Sequence, residues 1–562
     1  MDSIKQAVPI TLLAVAIVAL PISAHESQLT LINNVRNLNL TAAALGVLST
    51  LNMYYFIGLS ATLASLALSI RYRSNALTII SAFIIVVYFV DYPLLLSPFP
   101  PYLPDGTLYA TESLAVSLFG YSNIANKWLY NNGAYPIAFI WGAVTSMLLG
   151  VQPIYLSSAY GLFEPIALGL ISYVVGRRMV NNDDKNIALA PLAILIFTAL
   201  IWSYQFHFSP QDFNIVVLTL TTPLILLLIK GDIRSIALIS LTAITLTLGH
   251  PTEDPILLAT LVALLVIQLM AKGGSFRVVV FNIVLLTGLS FLAYSTYVIP
   301  INISVISSTF SLQSIERLIN LVIGRVGHAV FFALSSKEGV YPLRSVVYGY
   351  ELHGGYALAL IELALIATLY IAALLRGGSE YRRAYVSLAA GGLLVMALIT
   401  LALGTYSNRL AIYVAPALSG LLAPYMGRVF TRRWLAPLVI ALLIALGFLG
   451  LIFSSSTIYW DYAAGNPITY QSYSIIYSLG YHYNLGSYYT TNWLTYYQVI
   501  NYVRNINTTK VFPYPGPLFD YNKNDLFYLA NDVSLGNCQD ALHDVANSTV
   551  IYNDGINIIT RT

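Results

Sequence analysis

Apolar runs long enough to cross a bilayer recur between residues 7 and 453, separated by short polar breaks, and the pattern then stops. The runs fall near 7–24, 46–70, 76–96, 154–176, 187–204, 213–229, 235–249, 255–271, 277–299, 356–375, 384–404, 409–427 and 434–453. About 20 such residues span roughly 30 Å of hydrocarbon, where lipid offers the backbone no partner, so the runs predict about thirteen transmembrane helices. The run 135–151 is apolar but short and follows Pro136, so it predicts a helix that dips into the membrane without crossing it. Two breaks are long, at 97–133 and 300–355. The chain therefore divides into N-terminal spans (1–75), a main membrane domain with those two loops (76–453), and a Tyr-, Asn-, Ser- and Gly-rich tail (454–562). In the tail, 492–506 and 539–546 read as helices, and 510–512, 550–552 and 556–560 as strands, which predicts a small α/β lobe.

Composition agrees with the pattern: 57% of the 562 residues are hydrophobic and 9% charged, against about a quarter charged in soluble domains. A formal charge of +3, spread over short loops, leaves no basic patch and excludes a nucleic-acid partner. The single cysteine, Cys538, excludes an internal disulfide framework. Residues 1–24 read either as a cleavable signal peptide or as an uncleaved first span.

Charge also sets an orientation. If 135–151 does not cross, sixteen of the 27 Lys and Arg residues, among them Lys5, Arg71, Arg73, Arg177, Arg178 and Arg376, share one side, which predicts an integral plasma-membrane protein with a cytoplasmic N-terminus and an extracytoplasmic tail. All four Asn-x-Ser/Thr sequons (Asn39, Asn302, Asn507, Asn547) and all seven histidines then fall outside.

Candidate chemistry gathers at the external breaks. Asp91 and Asp105 are carboxylates at an external membrane edge, where a general base or metal ligand can work; the structural alternative is a span cap for Asp91 and an Asp-Gly turn for Asp105. His207 with Asp212, and His250 with Glu253 and Asp254, lie in short caps between neighbouring spans, and Glu351 and His353 in the long loop carry the same ligand-type side chains. Their spacing matches no defined zinc signature. Glu164 sits near the middle of an apolar run beside Pro165; it is either a proton relay or a buried hydrogen bond at a kink. Arg325 and Arg409 are external cations suited to a phosphate fork or to a lipid headgroup.

Taken together, Asp105-Gly-Thr-Leu-Tyr109 in a first external loop, Tyr135-Pro136 before a dipping helix that ends at Leu149-Gly150, a span closing on Gly176-Arg177-Arg178, the caps Phe208-Ser209-Pro210 and His250-Pro251, Asn408-Arg409 and the external tail resemble the integral-membrane glycosyltransferases of the GT-C fold. The likeness is to archaeal members and, more distantly, to the oligosaccharyltransferase catalytic subunit and the protein mannosyltransferases, and it covers residues 76–453. It departs from them in lacking an Asp-x-Asp pair and a Trp-Trp-Asp motif, and in placing two additional spans before the loop. The resemblance implies an external-face transfer of sugar from a polyprenyl-phosphate-linked donor to a lipid, glycan or protein acceptor, with membrane lipid as partner and a divalent metal, Mg or Mn, as the cofactor it allows. It makes Asp105, ahead of Asp91, the principal acid of the first loop, and Arg325 or Arg409 the grip on the departing phosphate. Two other classes stay open on the residues alone: a transporter using Glu164, which would show paired inverted halves, and a non-catalytic cell-envelope assembly protein binding through the tail.

Overall fold

The computed structural model describes residues 2–36, 46–96, 104–120, 135–179, 190–201, 206–229, 232, 234–250, 252–270, 276–297 and 409–431, short pieces between 441 and 451, and five strands between 488 and 561. The loop 300–355, the runs 356–375 and 384–404, the sequons, Arg325, Glu351 and His353, and the expected tail helices lie outside the described residues.

The membrane part is helical: α1 (Asp2–Arg36), α2 (Met53–Arg71), α3 (Asn75–Val86), α4 (Tyr92–Leu95), α5 (Pro104–Phe119), α6 (Ile137–Leu149), α7 (Pro153–Met179), α8 (Leu192–Leu200), α9 (Pro210–Ile229), α10 (Arg234–Gly249), α11 (Glu253–Met270), α12 (Phe276–Tyr297) and α13 (Arg409–Thr431). A π-helical turn, Val87–Asp91, joins α3 to α4. Among the described residues six helices are long and apolar enough to cross a membrane; α6, α10 and the 412–423 part of α13 are shorter apolar helices. With 13 residues, α6 is about 20 Å long, less than the roughly 30 Å hydrocarbon thickness.

Polar side chains buried between membrane helices need partners from within the protein. In the N-terminal bundle tyrosines supply several of them. Tyr55, Tyr88 and Tyr92 are fully buried and meet edge to face, at ring separations of 5.3 Å (Tyr55 to Tyr88) and 4.7 Å (Tyr55 to Tyr92). The Tyr88 hydroxyl donates to the Ala16 carbonyl (2.9 Å), that of Tyr55 to the Tyr88 carbonyl (2.9 Å), and that of Tyr92 lies 2.6 Å from Ser23 Oγ and 2.9 Å from Ser27 Oγ. The stretch read as a signal peptide or first span thus forms part of α1 and is bonded to the π-helical turn through Tyr88, to α4 through Tyr92, and to α2 through Ser65, which donates to the Pro9 carbonyl (3.0 Å).

A second core joins α7 through α13. At its centre α13 closes on α7 at Gly420, where an added Cβ would stand 2.1 Å from Val175 Cγ1 and 2.8 Å from the Gly176 amide nitrogen. Backbone on one side and a β-branched side chain on the other leave no room for a methyl group.

In the tail, β1 (Tyr488–Thr490), β2 (Val511–Pro513), β3 (Leu526–Ala530), β4 (Thr549–Asn553) and β5 (Asn557–Arg561) form one sheet in the order β2-β1-β3-β5-β4. β2, β1 and β3 run parallel, while β5 pairs antiparallel to both β3 and β4. The three strands read from the sequence correspond to β2, β4 and β5.

Overpacking a core costs about 1–3 kcal/mol or more, and the contact at Gly420 is partly with backbone. Gly420→Ala is therefore expected to destabilise the protein by about that much. A lowered thermal unfolding midpoint of the detergent-solubilised chain checks it; an unchanged midpoint would mean that α13 and α7 do not meet there.

Candidate functional site

Helix ends meet at one end of the second core, and each is shaped by a local sequence signal. Ser209-Pro210-Gln211-Asp212 is a helix start: Ser at the cap, Pro at the first position and an acid at the third. Accordingly, Ser209 Oγ accepts from the Asp212 amide (3.0 Å) and donates to Asp212 Oδ2 (2.8 Å), beginning α9. The same carboxylate oxygen lies 3.0 Å from His207 Nδ1, so the cap residue and the histidine share one acid.

α10 ends where Gly249 passes against Asn214 of α9; a Cβ at Gly249 would fall 2.0 Å from Asn214 Oδ1. Asn214 Nδ2 donates to the Leu246 carbonyl (3.0 Å), which ties that end to α9. The chain turns at once through His250 and Thr252 into α11.

Here Glu253, fully buried, is held on every side. His250 Nδ1 is 2.8 Å from Oε2, Thr252 Oγ1 donates to Oε1 (2.6 Å), and the Tyr413 hydroxyl donates to Oε1 as well. Tyr413 in turn accepts from Gln211 Nε2 (3.2 Å). One carboxylate thus connects α11, the α10 to α11 turn, α13 and α9.

Burial opposes ionisation of Glu253, but the His250 charge and the hydrogen bonds from His250, Thr252 and Tyr413 outweigh it and hold the carboxyl below its ordinary range. Its neighbour behaves oppositely. Burial pushes Asp254 up to about 7, Thr247 opposing with a 2.6 Å hydrogen bond to Oδ2 and the Glu253 charge adding to the rise. Asp254 Oδ1 has no hydrogen-bond partner among the described residues. Two adjacent acids at the same helix start are therefore driven apart, one anionic and one neutral at mildly acidic pH.

Aromatic residues wall this region. Trp141 of α6 packs on Tyr160 (5.5 Å), Phe208 (6.1 Å) and Phe213 (5.6 Å), and the Tyr135 ring stands 6.1 Å from that of His250. Ser157 of α7 donates to the Gly106 carbonyl (2.9 Å), which places the first turn of α5, and so the backbone of Asp105, one turn of α7 from Tyr160.

The two caps singled out in the sequence thus come together through Gln211 and Tyr413. Glu164, on α7 one turn beyond Tyr160, is fully buried and within electrostatic reach of Asp212. Arg409 opens α13 one turn before Tyr413. Asp105 lies inside the first turn of α5, not in a loop ahead of the helix; Pro104 starts the helix there, and a first-turn acid complements its dipole.

Asp91 differs from its reading as a span cap. It makes no capping hydrogen bond, is 1% exposed, and neither carboxylate oxygen has a partner among the described residues. Tyr413 and Gln211 escaped the sequence reading, since a lone Tyr in an apolar run and a Gln beside a capping acid carry no pattern of their own.

Among the described residues no group of three or more His, Cys, Asp or Glu comes together as a metal site. The acids of the two caps already accept hydrogen bonds from neighbouring side chains.

No family model and no curated protein matches the chain. Solved structures do. The oligosaccharyltransferase of Archaeoglobus fulgidus in the apo form is 14% identical, with a TM-score of 0.38 over 78% of this chain and 64% of that one. The archaeal oligosaccharyltransferase AglB of the same organism, in complex with an inhibitory peptide and a dolichol-phosphate, is 13% identical, with a TM-score of 0.40 over 80% and 62%. ArnT from Cupriavidus metallidurans in the apo state is 13% identical, with a TM-score of 0.37 over 83% and 93%. The chain spans less than two thirds of the length of the oligosaccharyltransferases it matches. These structures include the oligosaccharyltransferase class that the loop and cap motifs resemble. The TM-scores are below 0.5, and the site stands on the chain's own residues.

Because the carboxyl of Asp254 is raised in the folded protein from its ordinary 3.8 to about 7, its contribution is fully present below the unfolded value and is lost as pH rises through the folded one. Thermal stability should therefore fall between about pH 5 and about pH 8, and Asp254→Asn should flatten that part of the slope. Melting curves of both proteins at the two pH values test this; parallel slopes would contradict it.

Proposed function

We propose that the protein is a membrane glycosyltransferase of the GT-C type, moving a sugar from a polyprenyl-phosphate-linked donor to a lipid, glycan or protein acceptor on the external face. The observation that carries this reading is the gathering of two short polar caps and the starts of α5, α9, α11 and α13 at one end of an otherwise apolar bundle. A transfer enzyme needs a hydroxyl activated on one side and a leaving phosphate stabilised on the other. Asp105 takes the acceptor proton. Arg409, with Arg325 from the long loop, receives the phosphate, whose charge grows as the glycosidic bond breaks. His207, Asp212, His250, Glu253 and Asp254 line and order the site, and Glu351 and His353 complete it from the loop.

Glu164 belongs to this reading and not to transport, because the charge it faces is Asp212 of the external cluster. A divalent ion, Mg or Mn, would be held by Asp105 in place of its role as base, and no step above depends on it. In the same reading the chain crosses about thirteen times, in the three parts 1–75, 76–453 and 454–562, with the N-terminus cytoplasmic. The tail forms an extracytoplasmic α/β lobe around its sheet, and Asn39, Asn302, Asn507 and Asn547 are open to glycosylation.

Losing a general base costs on the order of a hundred-fold or more in rate. In vesicles loaded with a polyprenyl-phosphate-linked sugar, Asp105→Asn should lose transfer by about that factor while folding and donor binding persist, and Asp91→Asn should retain it. The opposite outcome would move the base to Asp91; full activity in both variants would sink the carboxylate mechanism.

Topology is tested separately. Cysteines placed at Gly133 and Gln152 should both react with an impermeant reagent from outside. Reaction of position 152 only from the cytoplasmic side would show that α6 crosses.

A further inference from the structure

The bundle has a second unusual place, which reaches from Ile70, one residue before the end of α2, to Phe89 and Ala199. Between α2, α3 and α8 lies a cavity of about 180 Å³, lined among others by Leu63, Leu66, Ala67, Phe89, Leu195 and Ile444. Its walls are almost wholly apolar, and an apolar cavity of roughly 150 Å³ stays dry and takes up apolar guests. These helices stand in hydrocarbon, so the guest at hand is a lipid chain.

What covers the cavity is indicated by the charge at its end. Ile70 also lines it, and α2 stops at the next residue, Arg71. Arg71 follows the exposed cavity residue Ala67 by one helical turn, which puts both on one face of α2. Arg73, exposed and held at a φ of 57°, turns the chain directly afterwards. α7 ends alongside: Asn75, the first residue of α3, donates to the Tyr173 hydroxyl (3.3 Å), and Arg177 follows Tyr173 by one turn. Next to it Arg178 has a buried Nε with no hydrogen-bond partner among the described residues.

Arg71 thus follows directly on a residue that lines the cavity, Arg73 stands two residues further on, and Arg177 and Arg178 close the helix whose Tyr173 is bonded to Asn75. Guanidinium forks suit phosphate oxygens, and basic pockets between membrane helices are matched to anionic headgroups. We infer that this end of the bundle binds one anionic phospholipid of the surrounding bilayer, its phosphate on Arg71 and Arg73 with Arg177 and Arg178 beside them, and one acyl chain in the cavity between α2, α3 and α8.

The lipid is not the sugar donor. The caps lie against the start of α7 (Ser157 and Tyr160), whereas the four arginines lie at or beside its end. With 27 residues, α7 separates the two places by tens of ångströms, at about 1.5 Å per residue.

The test uses the full chain purified in mild detergent and offered equal amounts of phosphatidylglycerol and phosphatidylcholine, with bound lipid counted by native mass spectrometry. The wild type should retain one phosphatidylglycerol in preference to phosphatidylcholine. Arg71→Gln with Arg73→Gln, both exposed and so compatible with folding, should lower its retention about ten-fold, the effect of roughly 1.4 kcal/mol. Ala67→Phe, which fills the cavity and leaves the charges, should lower it similarly. Equal retention of the two lipids, or retention unchanged in the double arginine variant, would overturn the proposal. Loss in the arginine variant without loss in Ala67→Phe would overturn the seat of the chain. Displacement of the phosphatidylglycerol by a polyprenyl phosphate at equal concentration would show that the place belongs to the donor.

Discussion

A carboxylate with no access to water must be satisfied by the protein or not be charged at all, and Glu253 is satisfied by residues that no single helix could supply. His250 and Thr252 come from the turn before α11, Tyr413 from α13, and Gln211 of α9 orients Tyr413 from behind. Each helix can shift only by withdrawing a donor from a buried anion, which costs more than a typical hydrogen bond gains. Apolar packing between membrane helices is weakly directional, because lipid tails are as apolar as the side chains. The Glu253 cluster therefore supplies what the hydrocarbon part lacks, a reason for these helix ends to meet in one register.

The close contacts elsewhere follow from that register. With Tyr413 fixed on Glu253, α13 must descend along α7, and it does so with Gly420 against Val175 and the Gly176 backbone. With α9 fixed by its Ser209 cap, Asn214 reaches the last turn of α10 only because residue 249 has no side chain. Trp141 then packs α6 onto Tyr160, Phe208 and Phe213, so a helix shorter than the hydrocarbon is thick is anchored by its aromatic contacts.

How much of this was legible in the sequence depends on the range of the signal. Helix identity was legible, since apolar length alone demands it; the start of α9 is encoded within four residues by Ser-Pro-x-Asp, three residues before the apolar run at 213. His207 and Asp212 were readable as neighbours for the same reason, as were His250 and Glu253. That the two caps join was not readable, because it runs through Gln211 and Tyr413, which are 202 positions apart. Asp105 shows the limit from the other side: Asp-Gly favours a turn locally, yet Pro104 ahead of it starts a helix. Position alone leaves Asp91 as a base, a metal ligand or a span cap, whereas the π-helical turn carries it into the core.

The contrast between Glu253 and the other buried acids bears on where chemistry can occur. An acid whose oxygens are all engaged is a structural element: its charge is fixed and its proton is not available. Glu253 is of this kind, and its best use is to hold His250, which keeps partial exposure and one ring nitrogen free of the carboxylate. Asp254 has one engaged oxygen and one without a partner, and its carboxyl changes charge near neutrality. An acid of that sort answers to whatever polar group comes next to it, because a donor placed on Oδ1 favours the anion and an incoming anion favours the neutral form. The same helix start therefore carries one acid whose charge is fixed by its donors and one whose charge changes near neutrality. The order along the chain, fixed first and variable second, sets the variable acid one residue deeper in α11.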